Sequence, residues 1–395
     1  MKVLKITIGE WHHENRDKRE LSLLKELGAE VLVMAKGKIG DSFKKDIVEG
    51  FQVFRFSTRP LGNKSSLIPF NRFITIFIWA YKARKFRANI ISGHDLLALF
   101  IGWLSNIGNI SKVKFVYDSH EFELGRNQKR SKLNYWFIKN LEGFLIKRCA
   151  FSIMVNDSIA DEISKIHHLA KRPLVIRSTP PNWKIDNEKC LKMRRYYLDT
   201  LGVKDDCFIC MYHGRITGNR GIEELIEIIS RTENTAGIIL GDGVPEYILD
   251  LKELSMKLNV RNKILFLPAV EIEELVNYLG ASDCGVIALR IIYKSYYYAL
   301  PNKFFENIQS LTPIICNDTP EMARIVSQYN IGMTIDPPGS VEAAVQSVTR
   351  LSTDKALYRS FKTNMVKAKN DLCWEKEKER LAEAYNNILY STVGT

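Results

Sequence analysis

The sequence predicts an α/β protein of two doubly wound, parallel-sheet domains. Short apolar runs of strand length alternate with helical apolar periodicity along nearly the whole chain. That alternation belongs to buried parallel strands covered by helices on both faces. The rhythm breaks once, at Ser178–Asn182 (STPPN) and the charged stretch 186–206, and restarts at Cys207. The length of 395 residues suits two or three domains of ordinary size, and an apolar content of 46% can fill their cores.

The first strand is expected at Val3–Ile8. Lys5 inside its apolar run, and the lack of a small-residue cleavage pattern, argue against a secretory leader. Further strands are expected at Glu30–Met34, Phe51–Phe56, Asn89–Ser92, Lys114–Asp118, Phe151–Val155 and Leu174–Ile176. Helical periodicity fills about 16–27, 70–87, 95–106, 132–148 and 158–167 between them. After the break, strands are expected at Phe208–Tyr212, Gly237–Leu240, Lys263–Phe266, Cys284–Ile287, Pro313–Cys316 and Gly332–Ile335. Helices separate these too, and the chain ends in helix. The resulting division is an N-terminal domain 1–180, a linker 181–206, a second domain 207–372 and a C-terminal helix 373–395. The longest apolar stretch, Phe73–Tyr81, is about half of the ~20 residues a membrane-spanning helix needs.

Charge separates the halves. Residues 1–190 carry 33 basic and 19 acidic side chains, against 24 and 26 in residues 191–395, so the net charge of +12 is the sum of +14 and −2. A basic half beside a near-neutral one suggests an anionic partner, or simply a lysine-rich solvated surface. Ser66–Ile90 places Phe70, Phe73, Ile74, Phe77, Ile78 and Tyr81 at helical spacing ahead of Lys82, Arg84, Lys85 and Arg87. Such a helix can lie on an anionic bilayer, or pack its stripe into the core. No nucleic-acid motif appears, and aromatic residues are not interleaved with the basic runs as stacking platforms, so no nucleic-acid partner is expected.

Four places can carry chemistry. Tyr212–Gly221 (YHGRITGNRG) is a strand end and glycine-rich loop, with Gly214, Arg215 and Arg220, before a helix. Backbone N–H groups and the helix dipole there favour an anion, although a structural turn explains the glycines as well. Leu240-Gly241-Asp242-Gly243 closes the next strand at the same edge. Tyr298–Glu306 (YALPNKFFE) leads through Leu300, Pro301, Asn302 and Lys303 into a helix, with Glu306 one turn inside it. A carboxylate there suits a ribose diol. In the first half, Asp118-Ser119-His120-Glu121 follows a strong strand, so His120 is a candidate acid or base, metal ligand or sugar-hydroxyl partner. His12-His13 is the one cluster able to complete a metal site with it. His94-Asp95 also follows a strand but can simply cap the next helix. No metal is expected, neither here nor at the Cys207-Cys210 pair, which lies in an apolar run with no second pair. The seven scattered cysteines read as reduced thiols of a cytoplasmic protein.

The run HGRITGNRGIEELI, LGDG, FLPAV with EELVNYLGASDCGVI, and ALPNKFFENIQSLTPIICND resembles the nucleotide-sugar domain of family 4 glycosyltransferases (glycosyl transferases group 1). Gly9 after the first strand, GHD at 93–95, YDSHEF at 117–122 and the terminal DLCWEKEKERLAEAY extend the resemblance over almost the whole chain. The LPNKxFE form is similar to branches acting in surface polysaccharide synthesis. The resemblance implies a GT-B fold, with two Rossmann-like domains facing across a cleft and the C-terminal helix crossing back to the N-terminal domain. It implies retaining, metal-independent transfer of a sugar from a nucleoside diphosphate sugar, UDP or GDP, to a glycan or lipid-linked acceptor. No cofactor is implied. By the same resemblance Arg215 and Arg220 hold the diphosphate, Glu306 the ribose, His120 stands near the transferred sugar, and Gly9 lets the acceptor approach. Gly214, Gly241, Leu300, Pro301, Asn302 and Lys303 fall in the matching donor loops. One position departs: many members have a second glutamate where this chain has Tyr298, the usual contact to the donor sugar's 3- and 4-hydroxyls.

Overall fold

The computed structural model describes residues 1–9, 11, 15–37, 43–61, 67–109, 113–126 and 130–390. The chain forms two compact units, Met1–Arg177 together with the stretch from Lys378 onward, and Ser178–Glu377. The expected pair of doubly wound domains is present.

In the first unit the strands are β1 (Lys2–Ile6), β2 (Glu30–Lys36), β3 (Phe43–Val48), β4 (Phe51–Phe56), β5 (Ile90–His94), β6 (Lys114–Ser119), β7 (Phe151–Met154) and β8 (Leu174–Val175). They form one sheet in the order β3-β4-β2-β1-β5-β6-β7-β8. All neighbours are parallel except β3 and β4. The order reverses between β1 and β5, so the loops after these strands flank the crevice where doubly wound sheets bind ligands. Strand β3 was not expected. Its sequence, FKKDIV, is largely exposed and charged, because an antiparallel edge strand needs no buried face to pair and charges blunt its free side.

Helix Ile68–Lys85 matches the expected basic helix, but its orientation is informative. Trp79, Ala80 and Ala83 are its buried apolar residues, while Phe70, Phe73, Phe77 and Tyr81 are all more than half exposed. The stripe therefore does not pack into the core. Helix Trp374–Leu389 delivers Tyr385 to the first unit, where its hydroxyl donates to Glu20 and its ring meets Phe151 edge-on at 5.1 Å.

The second unit holds β9 (Phe208–His213), β10 (Thr235–Leu240), β11 (Ile264–Leu267), β12 (Cys284–Ile287), β13 (Ile314–Asn317) and β14 (Gly332–Ile335). They form an all-parallel sheet in the order β11-β10-β9-β12-β13-β14, reversing between β9 and β12. Strand β9 shows why its sequence is almost continuously apolar. Phe208, Cys210 and Tyr212 face one core and Cys207, Ile209 and Met211 the other, so both faces are buried. This also disposes of a metal at the Cys207-Cys210 pair, since the two thiols point to opposite sides of the sheet.

Residues 181–206, set apart above as a linker, contain helix Asn187–Leu201, capped by the Asp186 carboxylate and ended by Gly202 in the left-handed region at φ +64°. Tyr197 and Leu198 are buried in the second unit's core and Arg194 pairs with Asp283 at 2.9 Å. The segment is structural: a few well-spaced apolar residues bury one face of a helix whose other face carries the charges that made it look like a linker.

Candidate functional site

At the carboxyl end of β9 the chain turns through Gly214, at φ +107°. Gly241, after β10, lies directly beneath it: a Cβ on Gly241 would stand 2.0 Å from the Gly214 carbonyl oxygen. Gly241 is thus required by the close approach of two loops, a packing reason rather than contact with a ligand. The Tyr212 hydroxyl donates to the Arg215 carbonyl at 2.7 Å and fixes the loop that carries Arg215, exposed, and Arg220, half-buried. The Arg220 guanidinium lies 5.9 Å from the ring centroid of Tyr296.

Across the reversal of the sheet, helix Asn302–Gln309 starts after Pro301 with no acidic residue in its first turn. Glu306 projects from this helix and accepts a hydrogen bond from His213 Nε2 at 2.8 Å, joining positions 93 residues apart. Asn302 is exposed beside them. Leu300 is placed differently from expectation. It is buried among Ile287, Leu289, Phe304 and Phe305, where an apolar side chain gains more than at a polar site, and it anchors the loop.

Lys303 is the least ordinary group here. It is 9% exposed, its Nζ lies 3.7 Å from the centroid of the Tyr212 ring, and that nitrogen has no hydrogen-bond partner. Burial, with help from the Arg220 charge and against that of Glu306, brings its pKa down to about 7. Lys303 thus stands between the charge of Arg220 and the Glu306 carboxylate that a histidine already engages, with Arg215 exposed on the neighbouring loop. The sequence signal for His213 was its place at the strand end in YHGR. Nothing in the sequence marked it as the partner of Glu306.

In the first unit, His120 follows β6. Its Nε2 is 3.1 Å from Asp118 Oδ2, its backbone N–H donates to Asp95 at 3.2 Å, and its ring lies 3.8 Å from that of His94. Asp118 and Asp17 are fully buried. Lys5 Nζ sits among them, 2.8 Å from Asp118, 3.3 Å from Asp17 and 2.7 Å from Glu20, and Arg16 adds a contact to Asp118 at 2.7 Å. These cations hold Asp118 well below the usual carboxylate range against the opposing effect of burial, and Lys5 is the main influence doing the same for Asp17. Burial alone would lower His94, but its 2.9 Å hydrogen bond to Asp17 and that residue's charge outweigh this and raise it to about 9. With His94 charged, three cations balance the carboxylates of Asp17, Glu20 and Asp118.

Asp17, His94, Asp118 and His120 offer ligand atoms within 4.8 Å of one another, a set able to hold a metal ion. The ammonium of Lys5 already occupies the charge centre of that set, so a cation entering it must displace a buried ion pair. His12 and His13, the other metal candidates, lie outside the described residues. Gly9 is exposed beyond β1, its carbonyl accepting from Lys36 N–H at 3.1 Å. Sequence reading found His120 but not Lys5, Asp17 or Glu20. A lysine inside an apolar strand run was the available signal.

Residues 197–368 match the family described as glycosyl transferases group 1. An uncharacterized glycosyltransferase of Methanocaldococcus jannaschii is 24% identical over 267 residues, 66% of each chain, so the match spans just under two thirds of that relative. Among solved structures, sucrose-phosphate synthase from Thermosynechococcus elongatus superposes with a TM-score of 0.78 at 15% identity, covering 99% of this chain and 100% of that one. Anabaena HepE, solved in complex with UDP and glucose, does so with a TM-score of 0.73 at 15% identity, again covering 99% and 100%. The fold is GT-B, and the stretch similar to glycosyl transferases group 1 lies within the second unit.

Proposed function

We propose that this protein is a retaining glycosyltransferase that moves a sugar from a nucleoside diphosphate sugar to a glycan or lipid-linked acceptor, in surface polysaccharide or glycoconjugate synthesis. The observation that carries the reading is the convergence of Arg215, Arg220, Lys303 and the His213–Glu306 pair at the carboxyl edge of one sheet, at its reversal. Two carboxylate oxygens suit a ribose diol, and with Glu306 Oε2 held by His213 the diol meets an oriented group. The guanidiniums and the N-terminus of helix Asn302–Gln309 favour the diphosphate.

In this reading the bond from the anomeric carbon to the β-phosphate oxygen breaks while the acceptor oxygen attacks from the same face. The acceptor's proton leaves on the departing phosphate. Arg215 and Arg220 stabilise the charge that develops there, a part a metal plays elsewhere. His120, clamped by Asp118 and Asp95, serves the transferred sugar.

The enzyme is proposed to work from the cytoplasm as a peripheral membrane protein. Among the described residues no helix is long and apolar enough to cross a membrane. The support lies instead in the exposed Phe70, Phe73, Phe77 and Tyr81 beside Lys82 and Lys85. Helix Lys132–Ile146 likewise exposes Leu133, Trp136 and Phe137. Large aromatic residues next to cations suit a bilayer interface.

The test is a thermal-shift panel with UDP, GDP, ADP, CDP and dTDP on wild type and Glu306→Ala. A midpoint rise with one nucleotide, lost in the variant, supports the donor site, and transfer from the matching nucleotide sugars then tests the reaction. UDP is first in line, since HepE was solved with it. If no nucleotide raises the midpoint, the donor reading fails and a catalytically inactive relative becomes the better description, with Tyr298 the residue to examine. Donor turnover to an isomeric nucleotide sugar without transfer would instead mark an epimerase.

A further inference from the structure

Tyr212 is the penultimate residue of β9, and two parts of its buried side chain serve different ends. The hydroxyl donates to the Arg215 carbonyl at 2.7 Å and so pins the loop that follows the strand. The ring face carries the Lys303 ammonium, whose nitrogen lies 3.7 Å from the centroid, well inside cation–π range. Lys303 belongs to a different element, the first turn of helix Asn302–Gln309, where Asn307 Nδ2 donates to its carbonyl at 2.8 Å. Its ammonium is nine-tenths buried, and the nitrogen makes no hydrogen bond. Gly214 borders it. A Cβ there would meet only Lys303 Cε and Nζ, both at 3.9 Å, so the ammonium has room on the side of the loop. Every residue of the second unit is described, and the charges that act on the ammonium are those of Arg220 and Glu306. A buried cation with unfilled donors is costly to a fold, and an aromatic face offsets only part of that cost. A ligand anion supplies what is missing.

We propose that Tyr212 is a positioning residue that makes this site select two linked phosphates over one. It joins two cationic elements, the loop of Arg215 and Arg220 through its hydroxyl and the helix of Lys303 through its ring. A single phosphate is held by one of these elements, and the other then contributes little. Two linked phosphates engage both, and they gain most when both are fixed before binding. Tyr212 itself meets no phosphate and acts through Lys303 and the loop. The inference rests on the reading of this edge of the sheet as the donor site.

The test is titration calorimetry of the full chain with UDP and UMP, and with pyrophosphate and inorganic phosphate as probes that carry no nucleoside. Wild type should bind UDP about thirtyfold more tightly than UMP or better, and pyrophosphate about tenfold more tightly than phosphate or better. Tyr212→Leu removes both contacts and should bring each ratio to within about threefold of unity. Double-mutant cycles separate positioning from a general loss of packing. Lys303→Met should weaken UDP about tenfold or more in wild type, but less than about threefold in the Tyr212→Leu background. Tyr212→Phe keeps the ring, so Lys303→Met should still cost it about tenfold, while the cost of Arg215→Gln should fall about threefold below its wild-type value. The phenylalanine variant carries the test if the leucine variant does not fold. Unchanged ratios in Tyr212→Leu overturn the proposal, as does an undiminished Lys303→Met effect there. So does an Arg215→Gln cost that is the same in wild type and Tyr212→Phe, or a wild type with no preference for two phosphates. A pyrophosphate preference lost in Tyr212→Leu, with no nucleoside diphosphate bound, would keep the role of Tyr212 and remove the donor reading.

Discussion

Lys303→Met separates what Lys303 costs the fold from what it does for a ligand. Methionine keeps the unbranched length and removes the charge. Moving the ammonium from the ordinary value of 10.5 to about 7 corresponds to about 5 kcal/mol, at 1.36 kcal/mol per tenfold change in proton affinity. The Tyr212 face returns about 0.5–2 kcal/mol by cation–π attraction, leaving a net cost of about 3–4 kcal/mol. Because the folded-state pKa is depressed, the unfolded chain binds more protons between pH 7 and 10.5, and stability contributed by this group rises across that window. The cost is therefore complete below pH 7 and gone above 10.5. Urea unfolding of wild type and variant at pH 6, 8 and 10 should show the variant more stable by about 3 kcal/mol at pH 6. The difference should shrink steadily towards pH 10. Nucleoside diphosphate affinity should move the other way. Loss of one charge-assisted contact costs about 1.5–3 kcal/mol, roughly 10- to 100-fold in Kd at pH 7. Binding to wild type at pH 7 should take up about half a proton, read from calorimetry in buffers of different ionisation enthalpy, because an anion holds Lys303 fully charged. A variant no more stable at pH 6, or one whose advantage does not depend on pH, refutes the argument. Arg220 and Glu306 also bear on Lys303, so Glu306→Gln serves as the control for a general electrostatic change.

Arg220→Ala should lower transfer from the nucleotide sugar by two orders of magnitude or more, measured as kcat/KM, since it removes a charge that stabilises the leaving group; unchanged transfer would exclude that role. His94, raised to about 9, contributes stability that is complete below its unfolded value of 6.5 and is lost as pH rises through 9. Its loss should amount to about 3 kcal/mol, and Asp17→Asn should flatten that dependence in denaturant titrations. Replacing Lys82, Arg84, Lys85 and Arg87 with Gln should release the protein from anionic liposomes while leaving nucleotide thermal shifts intact. Sedimentation across a salt series checks this, and unchanged partitioning would sink the interfacial reading.

The two-domain α/β architecture was legible because burial imposes its period directly on the sequence. In β9 every residue is apolar or aromatic up to His213, as a strand buried on both faces requires. Edges and helix faces were less legible. Phe43–Val48 is an exposed edge whose Lys44, Lys45 and Asp46 interrupt its apolar residues, although Phe43 meets Phe56 and Asp46 meets Arg55 on the neighbouring strand, and helix Asn187–Leu201 hides a narrow buried stripe among charges. At the site, loop glycines, arginines and Glu306 were visible as local motifs, each at a strand end or helix start. Pairing was not. His213 ends β9 and meets Glu306 on helix Asn302–Gln309, which comes after β12, the neighbour of β9 at the reversal of the sheet, and Lys5 on β1 reaches Asp118 on β6, 113 residues away, with β5 between them. Composition and periodicity report which side chains must leave water, and so they decide the elements. Which charges share a low-dielectric pocket, and what proton each then holds, depends on distances in space, and only the tertiary structure decides those.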